Sequence, residues 1–140
     1  YIQIGLAEGA TLVIGGQGRP EGYAGGYFVR PTVFAQVTNE MQIARDEIFC
    51  PILCIMTYDS TEHAVNIAND SAFGLNAYVY GKNVEHAQKI ASRLKVGSVL
   101  INRVMTELSA PFGGMKQSGI GREFGVYGLE SYLEAKTIVI

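Results

Sequence analysis

Few side chains in this sequence could carry covalent chemistry. It contains two cysteines, Cys50 and Cys54, and two histidines. A nucleophilic cysteine needs a lowered pKa, which a helix N-terminus or a neighbouring base usually provides. Cys50 instead precedes Pro51 and an apolar run, where burial would raise its pKa and leave it inert. The residues alone therefore favour a structural Cys50 over a nucleophile, and Cys54 inside the run is predicted to be a core residue.

The spacing of the two cysteines argues against a disulfide. They lie in CPILC, and if this stretch is a strand rising about 3.3 Å per residue, their Cα atoms are roughly 13 Å apart. A disulfide needs less than about 7 Å. We therefore expect two free thiols, which suits a reducing compartment and, by default, the cytoplasm.

The histidines, His63 and His86, fall on predicted helices among polar residues. Neither stands at metal-ligand spacing from another ligand type, so no metal site is predicted. Both also lie away from the strand C-termini where α/β active sites form. We interpret them as exposed helix residues, and no Ser–His–Asp set can be nominated.

The segment RDEIFCP, residues 45–51, offers a different kind of chemistry. The Glu47 carboxylate could accept hydrogen bonds from vicinal ribose hydroxyls, and the Phe49 ring could pack against a flat ring. The alternative is an ion pair between Arg45 and Glu47, with Phe49 in the core. The residues alone favour this alternative. No catalytic residue can be assigned within the chain.

Two glycine-rich stretches resemble phosphate-binding loops only superficially. GGQGRPEG (15–22) follows an apolar run, but Pro20 and further glycines lead toward another strand, whereas a dinucleotide fingerprint must open a helix. GIGREFG (119–125) has the wrong glycine spacing. A surface turn is predicted for the first stretch, and a close-packed turn is predicted for the second.

The pattern of apolar residues predicts an α/β fold with a mostly parallel sheet flanked by helices. Strand, helix, strand, helix and strand follow one another with short links, as in βαβ units. Asp59 and Asn83 are expected to cap the two helices, and the first strand of the series should be buried on both faces. The predicted strands are 11–14, an edge strand or strand pair at 27–34 because of Pro31, then 51–58, 75–80, 98–101 and 136–140; further helices are expected at 1–9 and around 127–133.

Composition limits the partners. The 140 residues are 48% hydrophobic and 17% charged, with a net charge of −2, which gives no electrostatic case for nucleic acid or an anionic membrane. No apolar run approaches the roughly 20 residues that span a bilayer, and the N-terminus does not read as a signal peptide. Tyr1 begins in what looks like mid-helix, which suggests a piece of a longer protein, and no linker divides the chain.

Several motifs in order resemble the aldehyde dehydrogenase superfamily. RDEIFCPIL follows GGYFVRPTVF, where the family has EEIFGP after GYFxxPT, and APFGGMKQSGIGREFGVYGLESYLEAKTI (110–138) resembles the family's C-terminal signature. IANDSAFGLNAYVYGKN and GSVLIN also fit the family pattern. The resemblance implies that residues 1–135 are the C-terminal part of the catalytic domain and that 136–140 is a terminal strand leading to the oligomerisation region.

The family's chemistry is NAD(P)+-dependent oxidation of an aldehyde to a carboxylic acid. By resemblance, Glu47 and Phe49 bind the cofactor (NAD or NADP), and Phe112 with the loop 102–111 lines the aldehyde entrance. The family's nucleophilic cysteine, its glutamate base and its Rossmann domain all precede the segment that matches Tyr1. The isolated chain is thus expected to be inactive. A non-catalytic assembly module remains the alternative, and a dimer or tetramer is expected in either case.

One residue departs from the family pattern, and two charged residues leave the substrate specificity open. The family usually has glycine where Cys50 stands, so Cys50 would be strained if that position requires a positive φ. Arg103 and Glu107 in the entrance loop could favour a charged or polar aldehyde, or could be solvated loop charges.

Overall fold

The computed structural model describes residues 1–105 and 107–140, which divide into two compact units, Tyr1–Ser60 and Thr61–Ile140. The sequence shows no linker near residue 60 and does not predict this division. Residue 106, inside the predicted entrance loop, lies outside the described residues.

The first unit is a small mixed sheet with two helices. Strand β2 lies between β1, which is antiparallel to it, and β3, which is parallel. A positive φ of 89° at Gly9 ends the first helix, as predicted. The elements are α1 (Ile2–Ala7), β1 (Thr11–Ile14), β2 (Thr32–Ala35), α2 (Gln42–Arg45) and β3 (Ile52–Cys54).

The prediction of an edge strand at 27–34 is wrong, because β2 is the central strand. It begins at Thr32, directly after Pro31, so the proline stays outside the ladder and costs no hydrogen bond. The Thr32 amide donates to the Pro51 carbonyl at 2.9 Å. Phe34 in this strand is fully buried and forms the core with Ala10, Val37 and Ile43.

The run 51–58 is also shorter and more exposed than predicted. Only Ile52–Cys54 is strand, and it is an edge strand of this sheet. Ile52 and Cys54 pack against the core, whereas Leu53 between them is 58% exposed. One face is therefore uncovered within this unit, where burial on both faces was expected.

The second unit contains the predicted βαβ arrangement. Strands β5 and β6 pair in parallel from Asn76↔Ser98 to Val79↔Ile101, and α4 connects them. Asn83 caps α4 as predicted, since its side-chain oxygen accepts the His86 amide at 2.9 Å. The elements are α3 (Thr61–Asn69), β4 (Phe73–Gly74), β5 (Asn76–Val79), α4 (Val84–Ala91), β6 (Ser98–Ile101), β7 (Met115–Lys116) and α5 (Gly125–Glu130).

The α/β class is confirmed, although the sheets are small and mixed. The antiparallel pair of β4 and β7 joins the glycine-rich segment to the βαβ unit and has no counterpart among the predicted strands. Helix α3 begins at Thr61, one residue later than a cap at Asp59 predicts, and α5 begins at Gly125, not near Tyr127. Residues 136–140 form no strand here; because a strand needs a partner, their pairing with another chain stays a prediction.

Candidate functional site

Residues 46–50, which connect α2 to β3, display the Glu47 and Phe49 side chains. Asp46 is held by hydrogen bonds from the Tyr1 hydroxyl at 3.0 Å and the Gln42 amide at 2.8 Å, and Ile48 packs against the core. The bond to Asp46 also raises the pKa of Tyr1. Asp46 and Ile48 are thus held by the unit, whereas Glu47 and Phe49 are exposed.

Both exposed side chains are free to meet a ligand. Phe49 is 93% exposed. The Glu47 carboxylate makes no hydrogen bond or ion pair with any residue that the structure describes. The alternative interpretation, with Phe49 in the core, is therefore wrong.

Phe49 has a strained backbone. Its φ is 53°, in the left-handed region that bulky residues rarely adopt. The strain of such a residue costs on the order of 1–3 kcal/mol and persists only where the surrounding structure fixes it. The fixing bonds lie on either side: the Asp46 amide donates to the Gln42 carbonyl, and the Ile52 amide donates to the Cys50 carbonyl at 2.7 Å.

This finding corrects the expectation for Cys50. The positive φ belongs to Phe49, so cysteine at the usual glycine position carries no left-handed strain. Both cysteines are free thiols, as the spacing predicts. Cys50 is exposed, so the burial expected for it is wrong. Cys54 packs on the core and donates to the Ile43 carbonyl at 3.4 Å, and burial raises the pKa of Cys54. Cys54 thus has the environment of an inert structural thiol.

In the second unit, Asn102 fixes the point at which the chain leaves β6. Its side-chain amide both accepts from the Gly81 amide and donates to the Gly81 carbonyl, each at 2.8 Å. Its backbone is left-handed, with φ of 53°, a conformation that asparagine tolerates better than most residues. The loop that follows therefore starts from a defined position and direction.

A cavity of about 310 Å³ lies against β6 and this loop. Its walls are mainly apolar and include Val99, Ile101, Met105 and Pro111, and Phe112 lines it as well. The volume is at the small end of ligand pockets, which span roughly 300–1,000 Å³. Phe112, expected from the resemblance to face the aldehyde, thus borders a cavity suited to an apolar chain.

Two charged residues, Arg103 and Glu107, also line the cavity. The Glu107 carboxylate accepts from the Ser109 hydroxyl at 2.8 Å and from its amide at 3.3 Å. These bonds, aided by the positive charge of Arg103, lower the pKa of Glu107 despite partial desolvation. Glu107 is therefore ionised at neutral pH and bound to its own loop.

The glycine-rich segment holds Phe112 by close backbone contacts. Phe112 and Glu123 exchange two backbone hydrogen bonds of 2.7 Å, and the Phe112 ring lies 6.1 Å from that of Phe124. The Arg122 guanidinium donates to the carbonyls of Gly114 and Gly121, each at 2.8 Å. Two glycines of the segment leave no room for a side chain: a Cβ atom at Gly113 would lie 2.1 Å from the Gly121 carbonyl oxygen, and one at Gly114 would lie 2.6 Å from the Ser118 Cβ.

Sequence reasoning missed three anchoring side chains: Asn102, Lys116 and Arg122. The Lys116 ammonium donates to the carbonyls of Asn69 and Ser71, at 2.9 and 3.0 Å, beside the end of α3. Asn102 and Lys116 bind backbone groups at least 21 residues away, which local spacing does not reveal, whereas Arg122 binds carbonyls within eight residues of itself. Only an asparagine directly after an apolar strand offers a signal, because it often ends a strand in a left-handed turn.

Glu47 and Phe49 belong to the first unit, and Phe112 belongs to the second. Both histidines are exposed, as predicted. No group of three His, Cys, Asp or Glu residues is placed to hold a metal ion within 1–105 and 107–140. Over the same residues, none of the helices is long and apolar enough to cross a membrane.

Comparison with known proteins gives a consistent result along the chain. The model of the aldehyde dehydrogenase family matches residues 1–138. A 3-succinoylsemialdehyde-pyridine dehydrogenase from a Pseudomonas species is 50% identical over 138 residues, which are 99% of this chain and 29% of that protein. The chain therefore spans under a third of the length of such relatives.

Solved structures agree in fold. Aldehyde dehydrogenase C from Pseudomonas syringae, solved as a cysteine-to-alanine mutant with NAD+ and octanal, is 51% identical with a TM-score of 0.95; the match covers 99% of this chain and 28% of that one. An aldehyde dehydrogenase from Mycobacterium tuberculosis, solved with NAD+, is 49% identical with a TM-score of 0.91, over 94% of this chain and 27% of that one.

Proposed function

The chain belongs to the aldehyde dehydrogenase family, and on this premise we propose that it is the C-terminal part of a subunit that oxidises an aldehyde to a carboxylic acid with NAD(P)+. Residues 1–135 would complete the catalytic domain, and 136–140 would lead to the oligomerisation region. The thiohemiacetal and thioester would form on a cysteine outside this chain, and a glutamate base outside it would activate water.

The observation that carries this proposal is the paired display of Glu47 and Phe49. The Glu47 carboxylate has no partner among the described residues, and the Phe49 ring, two residues further on, is 93% exposed. Both belong to an anchored segment whose backbone is strained at Phe49. Strain of this kind clusters at ligand-binding sites, because it fixes side chains that packing alone would not fix. Glu47 would accept hydrogen bonds from the nicotinamide ribose, and Phe49 would pack beside the nicotinamide ring.

The cofactor and substrate follow from the family and from the cavity. Bound NAD(P)+ accepts the hydride from the aldehyde-derived carbon. Two relatives were solved with NAD+, which makes NAD+ the first cofactor to test, with NADP+ beside it. Phe112 and the cavity above β6 would receive the apolar body of the aldehyde, and octanal, seen in one relative, is a suitable probe.

The test is Glu47→Gln in the complete subunit. This change keeps the shape of the side chain but removes its charge. A hydrogen bond to a charged group contributes about 1.5–3 kcal/mol and one between neutral groups about 0.5–1.5 kcal/mol, so about 1 kcal/mol is lost for each ribose hydroxyl that Glu47 binds. We expect the Kd for NAD(P)+ to rise by roughly tenfold or more and single-turnover hydride transfer to slow. Stopped-flow detection of NADH with octanal measures both.

Glu21→Gln is the matched control, since Glu21 is an exposed glutamate in the loop 15–26 of the same unit. Its cofactor affinity and hydride-transfer rate should equal those of wild type. If Glu47→Gln also behaves like wild type while thermal unfolding is unchanged, Glu47 has a structural role only, and the cofactor assignment fails.

The subunit would work as a homodimer or homotetramer in a reducing compartment such as the cytoplasm. The free thiols suit such a compartment. A non-catalytic assembly module is the rival proposal, and it predicts the same fold. A complete protein that assembles but reduces neither NAD+ nor NADP+ with any aldehyde would favour the rival.

A further inference from the structure

We infer that Arg103 makes the cavity above β6 selective for aldehydes that carry a carboxylate at the far end of an apolar chain. The inference rests on the proposed function and adds a substrate class to it. Such ω-oxo acids have an aldehyde for the oxidation and an anion for recognition.

The cavity has surfaces for both parts of such a molecule. Val99, Ile101, Met105 and Phe112 supply apolar wall for a methylene chain. Of the lining residues that the structure describes, Arg103 is the one cation and Glu107 is the one anion. The balance between these two charges therefore decides what end group the cavity accepts.

The two charges are not equally available to a ligand. The Glu107 carboxylate is engaged by the Ser109 hydroxyl and amide. The Arg103 guanidinium makes no hydrogen bond with the residues that the structure describes, and it interacts with Glu107 only through the attraction of their charges. The Arg103 guanidinium has free donors, whereas the Glu107 carboxylate is already hydrogen-bonded within its own loop. The cavity therefore favours binding of an anionic group at Arg103.

Arg103 is also held near a fixed point. It directly follows Asn102, whose amide is bound on both sides to Gly81 and whose own backbone amide donates to the Val79 carbonyl at 3.0 Å. A binding group on an anchored segment loses less conformational entropy when its ligand arrives. The planar guanidinium can then form two parallel hydrogen bonds to a carboxylate, which an ammonium group cannot reproduce.

The experiment compares matched substrates on the complete enzyme. Hexanal and octanal are each paired with the ω-oxo acid of the same chain length, and kcat/KM is measured for wild type, Arg103→Met and Arg103→Lys. For at least one chain length, wild type should prefer the ω-oxo acid on the order of tenfold to a hundredfold. Arg103→Met should abolish this preference, and Arg103→Lys should keep only part of it.

Lys89→Met is the matched control, because it removes one exposed positive charge on α4, outside the residues that line the cavity. It should keep the wild-type preference. Raising the salt concentration gives a readout that needs no variant: KM for the ω-oxo acid should increase while KM for the alkanal does not.

The outcomes separate this inference from the proposed function. If wild type oxidises alkanals and ω-oxo acids equally well, or if Arg103→Met keeps the preference, the inference is overturned while the dehydrogenase proposal stands. If no aldehyde is oxidised with either cofactor, the proposed function itself fails. If Arg103→Met does not fold, Arg103→Lys and the salt dependence decide the question.

Discussion

Among the glycines described in the second unit, Gly97 has the least room for a Cβ atom. A Cβ atom there would stand 1.5 Å from the Gly113 carbonyl oxygen, on the segment that carries Phe112. The obstacle is backbone, so a side chain cannot simply turn away. Gly97 also donates its amide to the Gly74 carbonyl at 3.0 Å, which fixes its own position.

We therefore expect Gly97→Ala to lower the free energy of unfolding of the complete subunit by about 1–3 kcal/mol or more, as overpacking does. Gly81→Ala is the matched control, because a Cβ atom at Gly81 would meet no described atom within 4 Å and the φ of Gly81 is not left-handed. Thermal unfolding midpoints compare the two. Equal midpoints would show that Gly113 can move aside, and the contact would then be no constraint on the Phe112 segment.

At the level of residues, the types and motifs of Glu47, Phe49 and Phe112 predict binding roles, which stay predictions. The exposure of Phe49 agrees with such a role. The left-handed backbone of Phe49 could not be predicted, because tertiary contacts impose it against the preference of a bulky residue. The family's usual glycine at position 50 suggested a positive φ at that position, whereas the positive φ belongs to Phe49.

Lys116 connects two elements, since β7 carries it and its ammonium binds carbonyls at the end of α3. A lysine there satisfies orphan carbonyl groups and complements the negative end of the helix dipole. Lys116→Met should therefore lower the free energy of unfolding of the subunit by about 1 kcal/mol. The loss stays this small because the site is solvent-exposed and its charge is partly screened.

The control for this variant is Lys82→Met, which removes a similar charge from the exposed turn after β5. It should leave the unfolding midpoint unchanged. The destabilisation by Lys116→Met should weaken only modestly in high salt, because hydrogen bonds to carbonyls remain when long-range attraction is screened. An effect that disappears in salt would mean that net charge, not the link to α3, is responsible.

Among the elements, those set by local signals were predicted best. Asn83 caps α4, and the short connections of α4 to β5 and β6 form the βαβ unit within one local stretch of chain. Strand pairing was predicted poorly. The central place of β2 and the exposed edge of β3 depend on which strands meet, and a sequence pattern does not state this.

On the scale of the whole molecule, the chain exposes more apolar surface than an independent domain would. Leu53 on β3 is 58% exposed, and Ile138 and Val139 in the last segment are 76% and 86% exposed. Exposed apolar patches of this kind mark surfaces that other protein covers. Since the chain spans about 29% of a relative's length, we expect the remainder of the subunit, or another copy, to cover them.

The isolated chain should therefore form no NADH from NAD+ and an aldehyde, whereas the complete subunit should. Of its two thiols, Cys54 has a raised pKa and a core position, and Cys50 stands before Pro51 at an exposed edge, away from any helix N-terminus among the described residues. Among the residues that the structure describes, neither thiol is hydrogen-bonded to a base and neither lies at a helix N-terminus, the two features that activate a nucleophile. The assay follows absorbance of NADH with octanal, with the complete subunit as the positive control under the same conditions. NADH formation by the purified chain alone would place a nucleophile within these residues and would make Cys50 the first to replace, by Cys50→Ala.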